Sequence, residues 1–156
     1  MWFLFRPDAA NVWKNSRVRE CYRRYKGIID GIYLPRYLLT KKIPADFSPD
    51  KPLDKLWSIH DEIAQDFPSF VKEIDAGEKK YQELSTPSSS FLDLKTTIVN
   101  RMLESCHFCE RRCAVDRSVE ELGFCRVGSK SRIASAFLHQ GEESVLVPSG
   151  TIFFTG

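Results

Sequence analysis

The sequence predicts an α+β chain, helical through its first two thirds and strand-forming at its end, with a cysteine loop at the junction. Three observations carry that reading. Apolar residues recur at intervals of three and four up to about residue 104. Four of the five cysteines then fall between positions 106 and 125. Beyond them the runs 132–139, 144–147 and 151–154 read as three short strands, separated by Gln140-Gly141-Glu142 and Pro148-Ser149-Gly150.

Taken in order, Pro7 and Asp8 suit a first helical turn. Val18, Cys21, Tyr22, Tyr25, Ile28, Ile29 and Ile32 continue the spacing, so one helix is expected from about residue 8 to 30. Its tyrosines and Cys21 are expected in the core, and Arg17, Arg19, Arg23, Arg24 and Lys26 in solvent. Gly31 and Pro35 break the pattern, and Tyr37, Leu38 and Leu39 begin a short second helix that stops before Pro44. Residues 43 to 51 form a loop. Leu53, Leu56, Trp57, His60, Ile63, Ala64 and Phe67 predict a helix ending before Pro68, with His60 as a hydrogen-bonded core histidine. Phe70, Val71, Ile74, Tyr81 and Leu84 suggest another helix, weakened at Gly77. Ser85 to Ser90 reads as a linker. The expected domains are therefore a helical region at 1–84, a linker at 85–90, a helix plus metal-binding module at 91–131, and short strands at 132–156. Within the module, Ser90-Phe91-Leu92-Asp93 forms a capping box that opens a helix running to about Glu104 and delivers the chain to Cys106.

With 42% hydrophobic and 28% charged residues the chain can build a core without staples, and nothing suggests bulk disorder. The net charge of +2 is unevenly spread. Residues 1–42 carry ten Lys or Arg against three Asp or Glu, residues 43–90 five against ten, and residues 91–156 eight of each. The basic block suits pairing with the acidic one; the alternative is a contact with nucleic acid or a membrane surface. Met1-Trp2-Phe3-Leu4-Phe5 is too short for a signal sequence and lacks a basic flank. No window approaches the ~20 apolar residues that cross a bilayer. A reducing, cytoplasmic setting is expected.

Cys106-His107-Phe108-Cys109-Glu110-Arg111-Arg112-Cys113, closed by Cys125, is dense enough in thiolates to share one metal centre. Arg111, Arg112, Arg117 and Arg126 offset the charge that four thiolates would bring. A structural zinc site takes two short-spaced pairs, whereas three bunched cysteines and one remote resemble an iron-sulfur layout; [4Fe-4S] and zinc both remain open, the first preferred. An odd cysteine count without a secretory signal argues against disulfides. No P-loop, dinucleotide fingerprint or nucleophile triad is present, and no residue is assigned a catalytic role. Glu142 and Glu143 read as solvated turn acids, and His139 beside them as a polar contact or proton carrier.

Residues 106–113, Val115-Asp116-Arg117, Gly123-Phe124-Cys125, His139-Gln-Gly-Glu-Glu143 and the run from Val147 to Gly156 together resemble archaeal and bacterial radical SAM proteins similar to pyruvate formate-lyase activating enzymes. The resemblance is close over about residues 91–156. It implies that the Phe-Phe-x-Gly strand is the first of a partial (β/α) barrel and that the next residue begins the CxxxCxxC loop, whose [4Fe-4S] cluster cleaves S-adenosylmethionine. The 156 residues would then be a truncated, N-terminal portion, inactive alone. Its partners would be the rest of the barrel or an electron donor, and S-adenosylmethionine would bind only the full-length protein. Cys106, Cys109 and Cys113 read C-x2-C-x3-C, so the resemblance makes them, with Cys125, a separate auxiliary site. The reading from a different class is a stand-alone zinc module whose basic helical region contacts nucleic acid.

Overall fold

A computed structural model describes residues 4–155, so Met1, Trp2, Phe3 and Gly156, which the readings of a leader and of a chain end involve, lie outside the described residues. The α+β expectation holds: six α-helices and one two-stranded antiparallel sheet are present among them. The chain divides into two compact units, Met1–Ile32 with Lys130–Gly156, and Tyr33–Ser129.

In the first unit the single helix expected over 8–30 is broken into α1 (Pro7–Asn11), a 3-10 turn (Val12–Lys14), α2 (Ser16–Cys21) and α3 (Arg23–Ile29). The interruption has a local cause. Asn15 is extended, and its side chain caps α2 by accepting from the amides of Arg17 and Val18 at 2.9 and 3.3 Å. Cys21, expected inside, is exposed, as are Tyr22, Ile29 and Ile32. With the helix broken at Asn15 and Tyr22, the apolar spacing no longer draws one continuous stripe. Some of the basic residues make contacts within the unit: Arg19 donates to the Trp13 carbonyl at 3.1 Å, and Lys26 pairs with Asp30 beneath the Trp13 ring.

The strands are β1 (Arg132–His139) and β2 (Ser149–Thr155), paired from Arg132↔Thr155 to His139↔Ser149 with an irregularity at Ala134. The middle strand expected at 144–147 is instead a 3-10 turn, Ser144–Leu146. Arg6 holds this connection against α1. It donates to the carbonyls of Gln140 and, at 3.0 Å, Glu142, while Asp8 accepts from Ser144 at 2.5 Å. The Arg6 guanidinium, and then the Ser144 hydroxyl, hold the Asp8 carboxyl far below the usual range.

The second unit holds the main core. α4 (Arg36–Thr40) precedes a loop that meets the start of α6: the Ala45 amide donates to the Ser89 carbonyl at 3.0 Å, and the Phe91 amide to the Ile43 carbonyl at 2.8 Å. α5 (Leu53–Asp75) packs on α6 (Phe91–Leu103) around Ala45, Leu56, Phe91, Leu94 and Ile98. Each large apolar side chain buried there contributes ~1.5–3 kcal/mol.

α5 corrects the expectation of a helix ending before Pro68 and a second one after it, because the helix runs through. Proline removes one backbone donor and strains the preceding turn. Here Pro68 faces solvent, while Ile63, Phe67 and Val71 on either side pack inward. That shared burial outweighs the local penalty. The helix ends at Gly77, whose φ of +76° permits a left-handed terminus: the Glu78 amide reaches the Glu73 carbonyl at 2.9 Å and the Gly77 amide that of Ile74 at 3.0 Å. The 85–90 stretch expected as a linker lies inside this unit, where Lys42 Nζ binds the Leu84 carbonyl and the Thr86 hydroxyl at 2.9 and 2.8 Å.

Candidate metal centre

The capping box read from the sequence is present: Ser90 Oγ accepts from the Asp93 amide at 3.3 Å, and Asp93 Oδ2 accepts from the Ser90 amide at 2.8 Å. Fixed there and packed through Phe91, Leu94 and Ile98, α6 brings the chain rigidly to Cys106. Two backbone bonds then close the cysteine loop, from Cys106 N to the Val115 carbonyl at 3.0 Å and from Ala114 N to the Cys106 carbonyl at 2.9 Å. Turns follow at Cys109–Arg112 and Gly123–Arg126, closed at 3.0 and 2.9 Å. Arg112, Ala114, Glu120 and Arg126 all have positive φ, 43° to 65°. Four such non-glycine residues in one loop store backbone strain, each on the order of 1–3 kcal/mol. The four cysteines of this stretch mark it as the candidate site.

Arg117 sits at the centre. Its 3-10 turn, Arg117–Val119, is fixed by Asp116, whose Oδ1 accepts from the Ser118 amide at 2.8 Å and from the Ser118 hydroxyl, its chief cause of a lowered pKa. The Arg117 side chain is buried, and Nη2 donates to Cys125 Sγ at 3.3 Å. The Cys106 thiol lies near enough to feel the Arg117 charge. Arg117, and after it the Phe108 amide, pulls the Cys106 thiol below its ordinary pKa; for Cys125 the Val127 amide leads and Arg117 follows. Gly123 leaves the room this needs, because a Cβ there would stand 3.0 Å from Arg117 Nη2 and 3.1 Å from Cys113 Sγ. Arg111, also named as a counter-charge, lies 4.0 Å over the Phe124 ring.

Cys113 thus lies beside Gly123 and Cys125 accepts from Arg117; Cys106 is buried, whereas Cys109 and Cys125 are exposed. Among the described residues no group of three or more Cys, His, Asp or Glu converges closely enough to hold a metal ion. Nη1 of Arg117 is buried without a hydrogen-bond partner.

His60 is half-buried and fully engaged. Nδ1 meets Asp61 at 2.9 Å, Nε2 meets Lys95 Nζ at 2.6 Å, and the ring lies 5.0 Å from Trp57 and 5.2 Å from Phe91. Lys95 is a residue the sequence reading missed; burial pushes its amine down in pKa, partly opposed by Asp61. His139 contacts Glu142 at 3.0 Å, as a polar contact in the turn, where a Cβ on Gly141 would come within 2.8 Å of the imidazole.

By fold and site this is a helix-rich α+β chain with a strained cysteine loop. No family model matches it, and no solved structure does. It is 36% identical over 133 residues to a protein of Methanocaldococcus jannaschii described as uncharacterized. That alignment covers 85% of this chain and 37% of the relative, so the chain spans a little over a third of the relative's length. No helix among the described residues is long and apolar enough to cross a membrane.

Proposed function

We propose that this chain is the N-terminal portion of a radical SAM iron-sulfur enzyme, of the kind similar to pyruvate formate-lyase activating enzymes. Cys106, Cys109, Cys113 and Cys125 would hold an auxiliary [4Fe-4S] cluster in it. The observation that carries the reading is the buried Arg117, which donates to Cys125 Sγ in the loop that carries the other three cysteines. Two further features support it. The relative is much longer than the matched region, which leaves room for a barrel. Ile133, Phe137, Ile152, Phe153 and Phe154 are exposed on the β1–β2 hairpin, as suits strands whose covering elements lie elsewhere.

A bound cluster supplies one-electron transfer; the chain's own residues supply its setting. α6 and the closing bonds at Cys106 fix one ligand, Arg117 neutralises thiolate charge, and Gly123 gives Cys113 its space. The Arg111–Phe124 contact ties the two halves of the loop. S-adenosylmethionine cleavage belongs to residues following these, in the intact enzyme.

Purification without oxygen, followed by iron, acid-labile sulfide and zinc assays, tests the reading. About four iron and four sulfide per chain, with a brown absorption lost in Cys109→Ala, is the expected result. One zinc with neither sulfide nor colour refutes the iron-sulfur assignment.

A further inference from the structure

Lys95 is set apart by its partners. It lies on α6 and reaches across to α5, where His60 Nε2 stands 2.6 Å from its Nζ. The other imidazole nitrogen, Nδ1, is 2.9 Å from Asp61 Oδ1. An ionised carboxylate only accepts hydrogen bonds, so Nδ1 carries a proton and Nε2 turns a lone pair toward the amine. Carboxylate, imidazole and amine thus follow one another in hydrogen-bond reach, the arrangement that readies a nucleophile. Aromatic rings wall the amine. Nζ lies 4.2 Å over the Phe91 ring, and Trp57 packs on the imidazole at 5.0 Å. Phe91 is fully buried in the core, so this wall is fixed, while Lys95 itself is only half-buried and open to a reagent. Burial also pushes the Lys95 amine down in pKa against the opposing pull of Asp61, which makes its free form easier to reach.

We propose that Lys95 is a nucleophilic lysine, served by His60 as base and Asp61 as its support, which forms an imine with a small neutral aldehyde. His60 Nε2 takes a proton from the Lys95 ammonium, and Asp61 holds the resulting imidazolium. The freed Nζ lone pair attacks the carbonyl carbon, forming a C–N bond while the C=O π electrons pass to oxygen, which takes the proton back from the imidazole. The nitrogen then yields a proton to His60, which passes it to the hydroxyl. The C–O bond breaks, water leaves, and the nitrogen lone pair closes the C=N bond. A protonated imine and one water balance the ammonium and the aldehyde, with nothing oxidised or reduced. The surroundings select the partner: the Asp61 carboxylate repels anionic carbonyl compounds, and Trp57 and Phe91 offer apolar faces.

Limiting benzaldehyde with sodium cyanoborohydride at neutral pH turns each imine into a stable secondary amine, and peptide mass spectrometry ranks the lysines. A positioned base contributes about a hundredfold and half-burial takes part of it back, so Lys95 is expected to label roughly tenfold faster than the exposed Lys51 and Lys72. His60→Gln, whose amide accepts a hydrogen bond but takes no proton, is expected to bring Lys95 down to their rate with the helical circular dichroism unchanged. Wild-type Lys95 labelling no faster than Lys51 and Lys72, or undiminished labelling of Lys95 in His60→Gln, overturns the proposal. Should the glutamine variant fail to fold, the wild-type ranking still decides. Anionic glyoxylate serves as a second probe on the wild type: a lead for Lys95 with benzaldehyde that shrinks with glyoxylate supports the neutral class, and an equal or larger lead with glyoxylate overturns it.

Discussion

Replacing Ser90 by alanine removes the hydroxyl that caps α6, and the structure sets how much that matters. Ser90 is 4% exposed; its Oγ accepts from the Asp93 amide at 3.3 Å and meets Asp93 Oδ2 at 2.6 Å. The Ser90 amide keeps its own 2.8 Å bond to Asp93, so half of the box survives. A Ser-to-Ala change at an N-cap costs ~0.5–2 kcal/mol. The amide bond is long, which argues against the top of that range, but burial leaves little water to replace the hydroxyl, so ~1 kcal/mol is expected. In a chain of this size that lowers the melting temperature by ~2–4 °C. Asp93→Asn adds a pH test. Hydrogen bonds from the Ser90 side chain and then the Ser90 amide hold the Asp93 carboxyl below its usual 3.8. Its stabilisation is therefore present above pH 3.8 and fades as pH falls through the lower folded value. Thermal unfolding by circular dichroism should show the wild type more stable than Asp93→Asn at pH 7 and the gap closing toward pH 2. Equal melting of Ser90→Ala and wild type at pH 7, or a gap that widens in acid, would refute the reasoning.

Leu94→Ala, at a site with no exposure between α5 and α6, should cost ~2–5 kcal/mol by denaturant unfolding, since the packed helices cannot close fully over the void. Lys95 has its pKa lowered by burial, so the folded state binds its proton less readily than the unfolded chain does. The stability of wild type relative to Lys95→Met should accordingly rise as pH is raised toward 10.5 and level off above it, measured by urea midpoints. Gly123→Ala places a methyl group 3.0–3.1 Å from Arg117 and Cys113. It should reduce metal uptake per chain after anaerobic reconstitution while leaving the helical circular dichroism of α5 and α6 in place; undiminished uptake would show that the close approach there is unimportant.

Local chemistry was legible wherever it decided the outcome by itself. The capping box at Ser90 and Asp93, the helix it opens and the hairpin's outer strands all lie where side-chain types and spacing put them. Asn15 was equally local and was missed: Asn-Ser before Arg17 is an N-cap signal, and the apolar period running across it hid the break. Pro68 failed in the other direction, because a proline rule based on one turn cannot weigh the burial of Phe67 and Val71. The middle strand at 144–147 was lost to contacts from Arg6 and Asp8, far away in sequence.

The site divides along the same line. The four arginines near the cysteines are visible in the sequence as counter-charge, but nothing in their spacing says that Arg117 turns inward while Arg111 stacks on Phe124. Lys95 and His60 are 35 positions apart and meet only because α5 packs on α6. By itself, then, the sequence determined what depends on neighbours within a turn or two: caps, helix starts, strand tendency and the thiol-rich composition of the loop. Tertiary structure alone decided which helix survives its proline, which cysteine is buried, and which guanidinium lies among the sulfurs. Burial and long-range hydrogen bonding act between residues that no local period connects, and their energies exceed the local preferences they override.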